Sequence, residues 1–158
     1  MSIKRVLTVL ASGAVALAGT LASPANPAVA ASCRPVTGHI VFDCGSPTDV
    51  FRIRTVSINP DTPRKGHKAT LTAQGDLRED IPAGTNMHVT ARLGILTVVD
   101  KDYDFLSNVT IDQQDKQATI TKETSIPGTL PSGNYLVDVV ITTPARKQVA
   151  RLQIKLKL

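Results

Sequence analysis

Aromatic residues make up only 3% of the 158-residue chain, and tryptophan is absent. Sites that stack nucleic-acid bases or sugar rings are built from aromatic side chains, so this composition disfavours both kinds of site. The formal net charge of +5 is modest, and nucleic-acid binding would require clustered basic residues. We therefore expect no nucleic-acid partner, and any apolar cavity must be lined mainly by Val, Ile and Leu.

The chain also lacks the motifs of common catalytic and metal sites. It has no G-x-S-x-G segment to present a nucleophile, and its three histidines, His39, His67 and His88, are scattered. Cys33, Cys44 and His39 could be metal ligands, but a structural zinc site needs a fourth. The sequence therefore predicts a protein that is not an enzyme and has no metal and no cofactor.

The first thirty residues have the pattern of a secretory signal peptide. Lys4 and Arg5 precede an uninterrupted run of apolar and small residues from Val6 to Ala22, and Ala28-Val29-Ala30 offers small residues for cleavage. The alternative is a membrane anchor, although the run is weakly hydrophobic because it is rich in Ala and Gly. We predict a signal peptide over residues 1–30 and a secreted, soluble, monomeric product.

Only two cysteines are present, and both follow the predicted cleavage site. In an oxidising compartment, a pair this close in sequence most simply forms one disulfide, Cys33–Cys44. We predict an N-terminal leader over residues 31–48 that contains this disulfide, followed by one domain over residues 49–158. About 128 residues are enough to bury a substantial core.

Alternating apolar and polar residues dominate the predicted domain, and helix periodicity is almost absent. Runs with this period of two include residues 69–77, 87–95, 135–141 and 150–158, and Gly- and Pro-rich turns separate them. The pattern predicts an all-β, immunoglobulin-like β-sandwich of about seven antiparallel strands. The alternation changes parity near Arg54-Thr55, which indicates either a β-bulge or a strand that crosses between sheets.

Three basic residues, Arg151, Lys155 and Lys157, share the polar face of the last predicted strand. One interpretation is an edge strand protected from aggregation by its charges. The other is a contact surface for anionic lipid headgroups, which implies transient contact with a membrane surface.

Four segments, in this order, resemble the ML-domain lipid-recognition family. This family includes the Niemann-Pick type C sterol carrier and the fungal phosphatidylglycerol/phosphatidylinositol transfer proteins. The matching segments are Phe42-Asp43-Cys44-Gly45-Ser46 with the following strand to Ile58, Ala69 to Gly75, Val89 to Leu96, and Ile126 to Ile141 with its Pro131-Ser132-Gly133-Asn134-Tyr135 start. The family typically has three disulfides, one of which joins the Asp-Cys-Gly cysteine to the last strand. That strand has no cysteine here, which makes this chain a divergent member.

The resemblance implies that a lipid, either a phospholipid or a sterol, is held between two β-sheets and is moved between membranes. The residues it implicates in lipid binding are Val89, Leu93, Ile95, Leu96, Phe105, Leu130, Pro131, Tyr135, Val137 and Val139. Leu96, Leu130 and Pro131 match family positions at the cavity entrance. Alternation alone would predict a filled core, and it is the resemblance that favours a cavity. The alternative function is a secreted partner-binding or adhesion sandwich with a filled core and no ligand.

Overall fold

The computed structural model describes residues 32–158, so the predicted signal peptide lies outside the described residues. Ten strands and one short helix follow in chain order. They are β1 (Arg34–Thr37), β2 (Val41–Asp43), β3 (Phe51–Asn59), β4 (Lys68–Leu77), β5 (Asn86–Leu93), β6 (Leu96–Asp104), α1 (Phe105–Asn108), β7 (Thr110–Gln114), β8 (Gln117–Ser125), β9 (Asn134–Thr142) and β10 (Gln148–Lys157).

The strands form two antiparallel sheets packed face to face, which confirms the predicted all-β sandwich. Sheet A has six strands in the order β1-β2-β10-β9-β5-β6, and sheet B has four in the order β3-β4-β8-β7. The last strand, β10, lies between β2 and β9. The interpretation of β10 as an edge strand protected by its basic residues is therefore wrong, because β2 pairs with the side of β10 that does not pair with β9.

The predicted leader contributes two strands to sheet A. Val41 of β2 is fully buried in the core opposite Ile154 of β10, and the Cys44 N–H donates to the carbonyl of Arg151 at 2.9 Å. The predicted boundary at residues 48/49 is thus not a boundary of the fold. Cys33 and Cys44 form the expected disulfide, which links the segments on either side of the β1–β2 hairpin.

The parity change in β3 is a β-bulge, one of the two predicted explanations. The pairing of β3 with β4 shifts between Ile53 and Thr55, so that Ile53 and Val56 both face the core. Gly75 lies opposite Ile53, and a Cβ at Gly75 would collide with the carbonyl of Arg52. The bulge therefore requires glycine at this position of β4.

The buried core is concentrated at one end of the sandwich, which we call the closed end. Phe105, the first residue of α1, is 1% exposed, and its N–H donates to the carbonyl of Thr85 at 2.8 Å. Large side chains from both sheets surround it, and the core residues at this end include Val50, Phe51, Leu77, Met87, Ile141, Val149 and Ala150. This end of the molecule is filled.

Candidate functional site: an apolar crevice between the sheets

The inward face of sheet A is less well covered away from the closed end. Val137 and Val139 lie on β9, which has a hydrogen-bonded neighbour on each side, and they face the other sheet. In a filled sandwich such positions are core, yet both are only half-buried, as is Val89 beside Val139 on β5. Sheet B therefore covers this part of sheet A incompletely, and these side chains line the candidate crevice between the sheets.

The inward face of sheet B shows the same gradient. Ile58 on β3 is buried, its neighbour Leu71 on β4 is half-buried, and the next inward residue, Lys122 on β8, is half-buried too. One row closer to the closed end, Val56 is buried, whereas Ile111 on β7 is half-buried. Exposure thus increases across sheet B toward β7, on the side of the sandwich where β6 forms the edge of sheet A.

The opposite edge, between β1 and β3, is closed by contacts between the sheets. The Arg34 guanidinium donates to the carbonyl of Ile53 at 3.0 Å, and the Thr37 hydroxyl donates to the carbonyl of Val56. Because one edge and one end are closed, we expect a ligand to reach these inward residues from the β6/β7 edge or from the end opposite α1.

Three loops meet at that opposite end, which we call the loop end. The N–H of Gly66, before β4, donates to the carbonyl of Ile126, after β8, at 2.8 Å. Gly133, before β9, exchanges backbone hydrogen bonds with Leu158, and a Cβ at Gly133 would lie 2.5 Å from Leu93 Cδ1 at the end of β5. The loop end therefore includes the C-terminus and the β5–β6 turn.

The β5–β6 turn carries the most exposed apolar side chains at the loop end. Gly94 adopts φ +59°, which ends β5 and starts a tight turn. Ile95 at the tip is 105% exposed and Leu96 is 61% exposed. These two side chains form an exposed apolar patch next to Leu93 at the end of β5. Exposed apolar patches of this kind often mark a binding surface.

Comparisons with known proteins agree with this architecture. The profile of the ML domain matches residues 39–158. The chain belongs to the ML-domain family. The chain is 28% identical over 138 residues to a phosphatidylglycerol/phosphatidylinositol transfer protein of Cryptococcus neoformans, covering 81% of this chain and 77% of the relative. It is 29% identical over 134 residues to a protein of the same name in Emericella nidulans, covering 80% and 79%.

Among solved structures, this ML domain is similar in fold to chicken MD-1, whose crystal structure contains lipid IVa. The TM-score is 0.53 at 16% sequence identity, and the match covers 80% of this chain and 96% of MD-1.

Five of the residues that the sequence implicated in lipid binding lie on the inward face of sheet A in this ML domain. They are Val89, Leu93, Tyr135, Val137 and Val139. Tyr135 is buried, and its hydroxyl donates to the carbonyl of Pro131 at 2.7 Å, which fixes the β8–β9 loop against the crevice wall. The alternation correctly places these side chains together, and their contact with a lipid stays a prediction.

Two of the predicted lining residues have other positions. Ile95 does not continue the inward row of β5, because the strand ends at Leu93 and the turn carries Ile95 outward. Phe105 is not on a strand; it starts α1 and fills the closed end rather than the crevice. Of the predicted rim residues, Leu130 is half-buried and Pro131 exposed, and both lie in the β8–β9 loop at the loop end.

The three basic residues of β10 lie on the outer face of sheet A and are called the β10 basic row. Lys157 is exposed near the loop end, and Lys155 Nζ lies 4.4 Å from the ring centroid of Phe42, a cation–π contact. Arg151 is half-buried farther along the strand, and its Nε is buried without a hydrogen-bond partner. None of the three faces the crevice.

The acidic residues of β6 lie on the outer face as well. His88 Nδ1 lies 2.9 Å from Asp102 Oδ1, and His88 Nε2 lies 3.3 Å from Asp100. The Asn86 amide, which donates to Asp102 at 2.6 Å, and His88 hold the pKa of the Asp102 carboxyl below its usual value. Among residues 32–158, no cluster of His, Cys, Asp and Glu could hold a metal ion.

An open depression of about 370 Å³ lies at the β7 edge of sheet B and extends onto the outer face of that sheet. Its lining is mostly polar and comprises Thr70, Ser107, Asn108, Val109, Thr110, Thr121 and Glu123. It lacks the apolar lining typical of small-molecule sites, so the crevice is the better candidate. Within the described part of the chain, no helix is long and apolar enough to span a membrane.

Proposed function

We propose that this ML domain binds a phospholipid with its acyl chains in the crevice between the sheets and transfers it between membranes. The observation that carries the proposal is the half-burial of Val137 and Val139, inward-facing residues on a strand in the middle of sheet A. An acyl chain placed over them would remove apolar surface from water on both partners, at about 25 cal/mol per Å². The names of the two fungal relatives support a phospholipid as the ligand.

The loop end is suited to contact a membrane during transfer. Ile95 and Leu96 can enter the apolar layer beneath the headgroups, while Lys155 and Lys157 stay at the headgroup level. Each basic residue near an anionic membrane contributes about 1 kcal/mol to binding. Contact at this end would place the opening of the crevice at the bilayer surface, so that a lipid can move between them without crossing water.

Secretion is part of the proposal. The signal-peptide pattern of residues 1–30 supports it, and so does the Cys33–Cys44 disulfide, because such bonds persist in oxidising compartments.

Lipid binding is tested by incubating the protein with phosphatidylglycerol vesicles, removing the vesicles and analysing the protein by native mass spectrometry. We expect one phospholipid per protein molecule. A protein that emerges without any lipid adduct, from phospholipid and from sterol vesicles alike, would be a ligand-free sandwich, and the partner-binding alternative would replace the proposal.

Membrane docking is tested by the rate at which a fluorescent phospholipid moves from donor to acceptor vesicles. Ile95→Glu should slow transfer at least severalfold without lowering thermal stability, because the side chain is fully exposed in solution. Lys116→Gln, in the β7–β8 turn next to the closed end, lowers the net charge by one unit as Ile95→Glu does. It is the matched control and should transfer at the parent rate. Equal rates for all three proteins would exclude docking through the β5–β6 turn.

A further inference from the structure

We propose that Lys101 and Lys122 bind the phosphate of an anionic phospholipid at the open edge of the crevice and thereby select anionic over zwitterionic lipids. This inference rests on the proposed function and assigns the residues that recognise the lipid headgroup.

Lys101 faces the crevice from the edge strand of sheet A. It pairs with Val89, and directly paired residues of antiparallel strands point to the same face. Tyr103, two positions further along β6, also points inward and packs against the core. Lys101 is exposed because β6 has no strand beyond it.

Lys122 faces the crevice from sheet B. It pairs with Leu71 and follows the inward-facing core residue Ile120 by two positions on β8. Its side chain is half-buried, and its Nζ lies 3.4 Å from the Asn108 side-chain oxygen just before β7. The two lysines therefore lie on opposite sheets, Lys101 on the edge strand β6 and Lys122 on β8, next to the edge strand β7.

Neither lysine is neutralised by an acidic side chain. Within residues 32–158, no carboxylate lies within 4.0 Å of either ammonium group, although Lys101 is flanked by Asp100 and Asp102, and Lys122 by Glu123. Alternation turns these carboxylates to the outer faces, where each already has a partner. Asp100 and Asp102 contact His88, and Glu123 pairs with a different lysine, Lys68, at 2.6 Å.

Two uncompensated ammonium groups beside an apolar crevice fit a molecule with acyl chains and one negative charge at their end. Phosphatidylglycerol has this chemistry. Phosphatidylcholine with the same acyl chains has no net charge, because its choline cation balances the phosphate. Comparing the two lipids therefore isolates the effect of the net headgroup charge. Because a basic group near anionic headgroups contributes about a factor of five, the pair should favour phosphatidylglycerol by about twenty-five-fold.

The test uses vesicles that contain equal amounts of phosphatidylglycerol and phosphatidylcholine with identical chains, and native mass spectrometry gives the ratio of bound lipids. The parent should favour phosphatidylglycerol. Lys101→Gln/Lys122→Gln should bring the ratio close to one while phosphatidylcholine binding is retained. Lys101→Arg/Lys122→Arg should keep the preference, and Lys116→Gln is the matched control for loss of one surface charge.

The outcomes separate the two proposals. A parent that binds neither lipid overturns the proposed function and this inference together. A parent that binds both lipids equally, or a double Gln variant that keeps the preference, overturns only the inference. Displacement of the bound lipid by soluble glycerol phosphate at the same concentration would also overturn it, because the site would then recognise a free anion rather than a headgroup anchored by its chains. Equal melting temperatures of all variants confirm that the fold is intact.

Discussion

Substituting Val137 by Phe distinguishes an open crevice from a filled core. In a filled core, the added ring has no space and should destabilise the protein by about 1–3 kcal/mol. For a domain of this size, such a loss lowers the melting temperature by about 4–12 °C. Val137 is flanked on the inward face by Ile154 and the small Ala91, so in an open crevice the ring can lie over Ala91 in the space proposed for lipid. We then expect an unchanged or higher melting temperature and weakened lipid binding.

Val149→Phe is the matched control for this substitution. Val149 is 0% exposed in the core of the closed end, so the same change there should cost the full 1–3 kcal/mol. Scanning calorimetry of the lipid-free parent and both variants, together with lipid uptake, makes the comparison. If Val137→Phe lost as much stability as Val149→Phe, the region around Val137 would be filled and the crevice would not exist.

Three further predictions concern other parts of the molecule. The Cys33–Cys44 disulfide closes a short loop and should contribute about 2–3 kcal/mol, so the double Ser variant should fold with a lower melting temperature; two free thiols in the purified parent would contradict this. Reversing the β10 basic row to Glu should slow transfer to anionic vesicles and reverse the sign of its salt dependence, because salt then screens a repulsion; an unchanged rate would exclude the row from membrane contact. The hydroxyl and the N–H of Ser107 lower the pKa of Asp104, which caps the N-terminus of α1. The cap therefore contributes its full stability at neutral pH, and this stability is lost as the pH falls and the carboxylate is protonated. Carboxyl NMR should give Asp104 a pKa below that of an aspartate in an unfolded peptide, and a higher pKa would contradict the cap.

Strand alternation predicted much of the fold because one face of each strand is buried and the other is exposed to solvent. It placed Val89, Val137 and Val139 on one face, and the parity change near Arg54-Thr55 correctly marked the bulge. The ends of strands were less predictable. The alternation runs from Leu93 through Ile95 without a break, although the chain reverses at Gly94. The glycine at position 94 is the feature of the sequence that indicates this turn, because glycine readily adopts the positive φ that the turn requires.

Other features depend on contacts that are distant in sequence. Residues 34–43 have too short an alternation to show that they pair with β10. Alternation alone does not predict a crevice between the sheets, because the same inward valines also fit a filled core. The sequence pattern does not identify Lys101 and Ile111 as crevice residues. Lys101 lies among the aspartates of a polar strand, and Ile111 lies on β7, which is too short to show alternation. The inward position of Lys101 could have been found by counting from Tyr103.

The most direct test of lipid binding between the sheets is methyl NMR of the protein titrated with a phospholipid that carries a spin label on its acyl chain. The label should broaden the methyl signals of Val89, Val137 and Val139 and leave those of Val50 and Val149, at the closed end, largely unaffected. Broadening restricted to outer-face or loop-end methyls, with the three crevice valines unchanged, would show that the lipid binds elsewhere and would contradict the proposal.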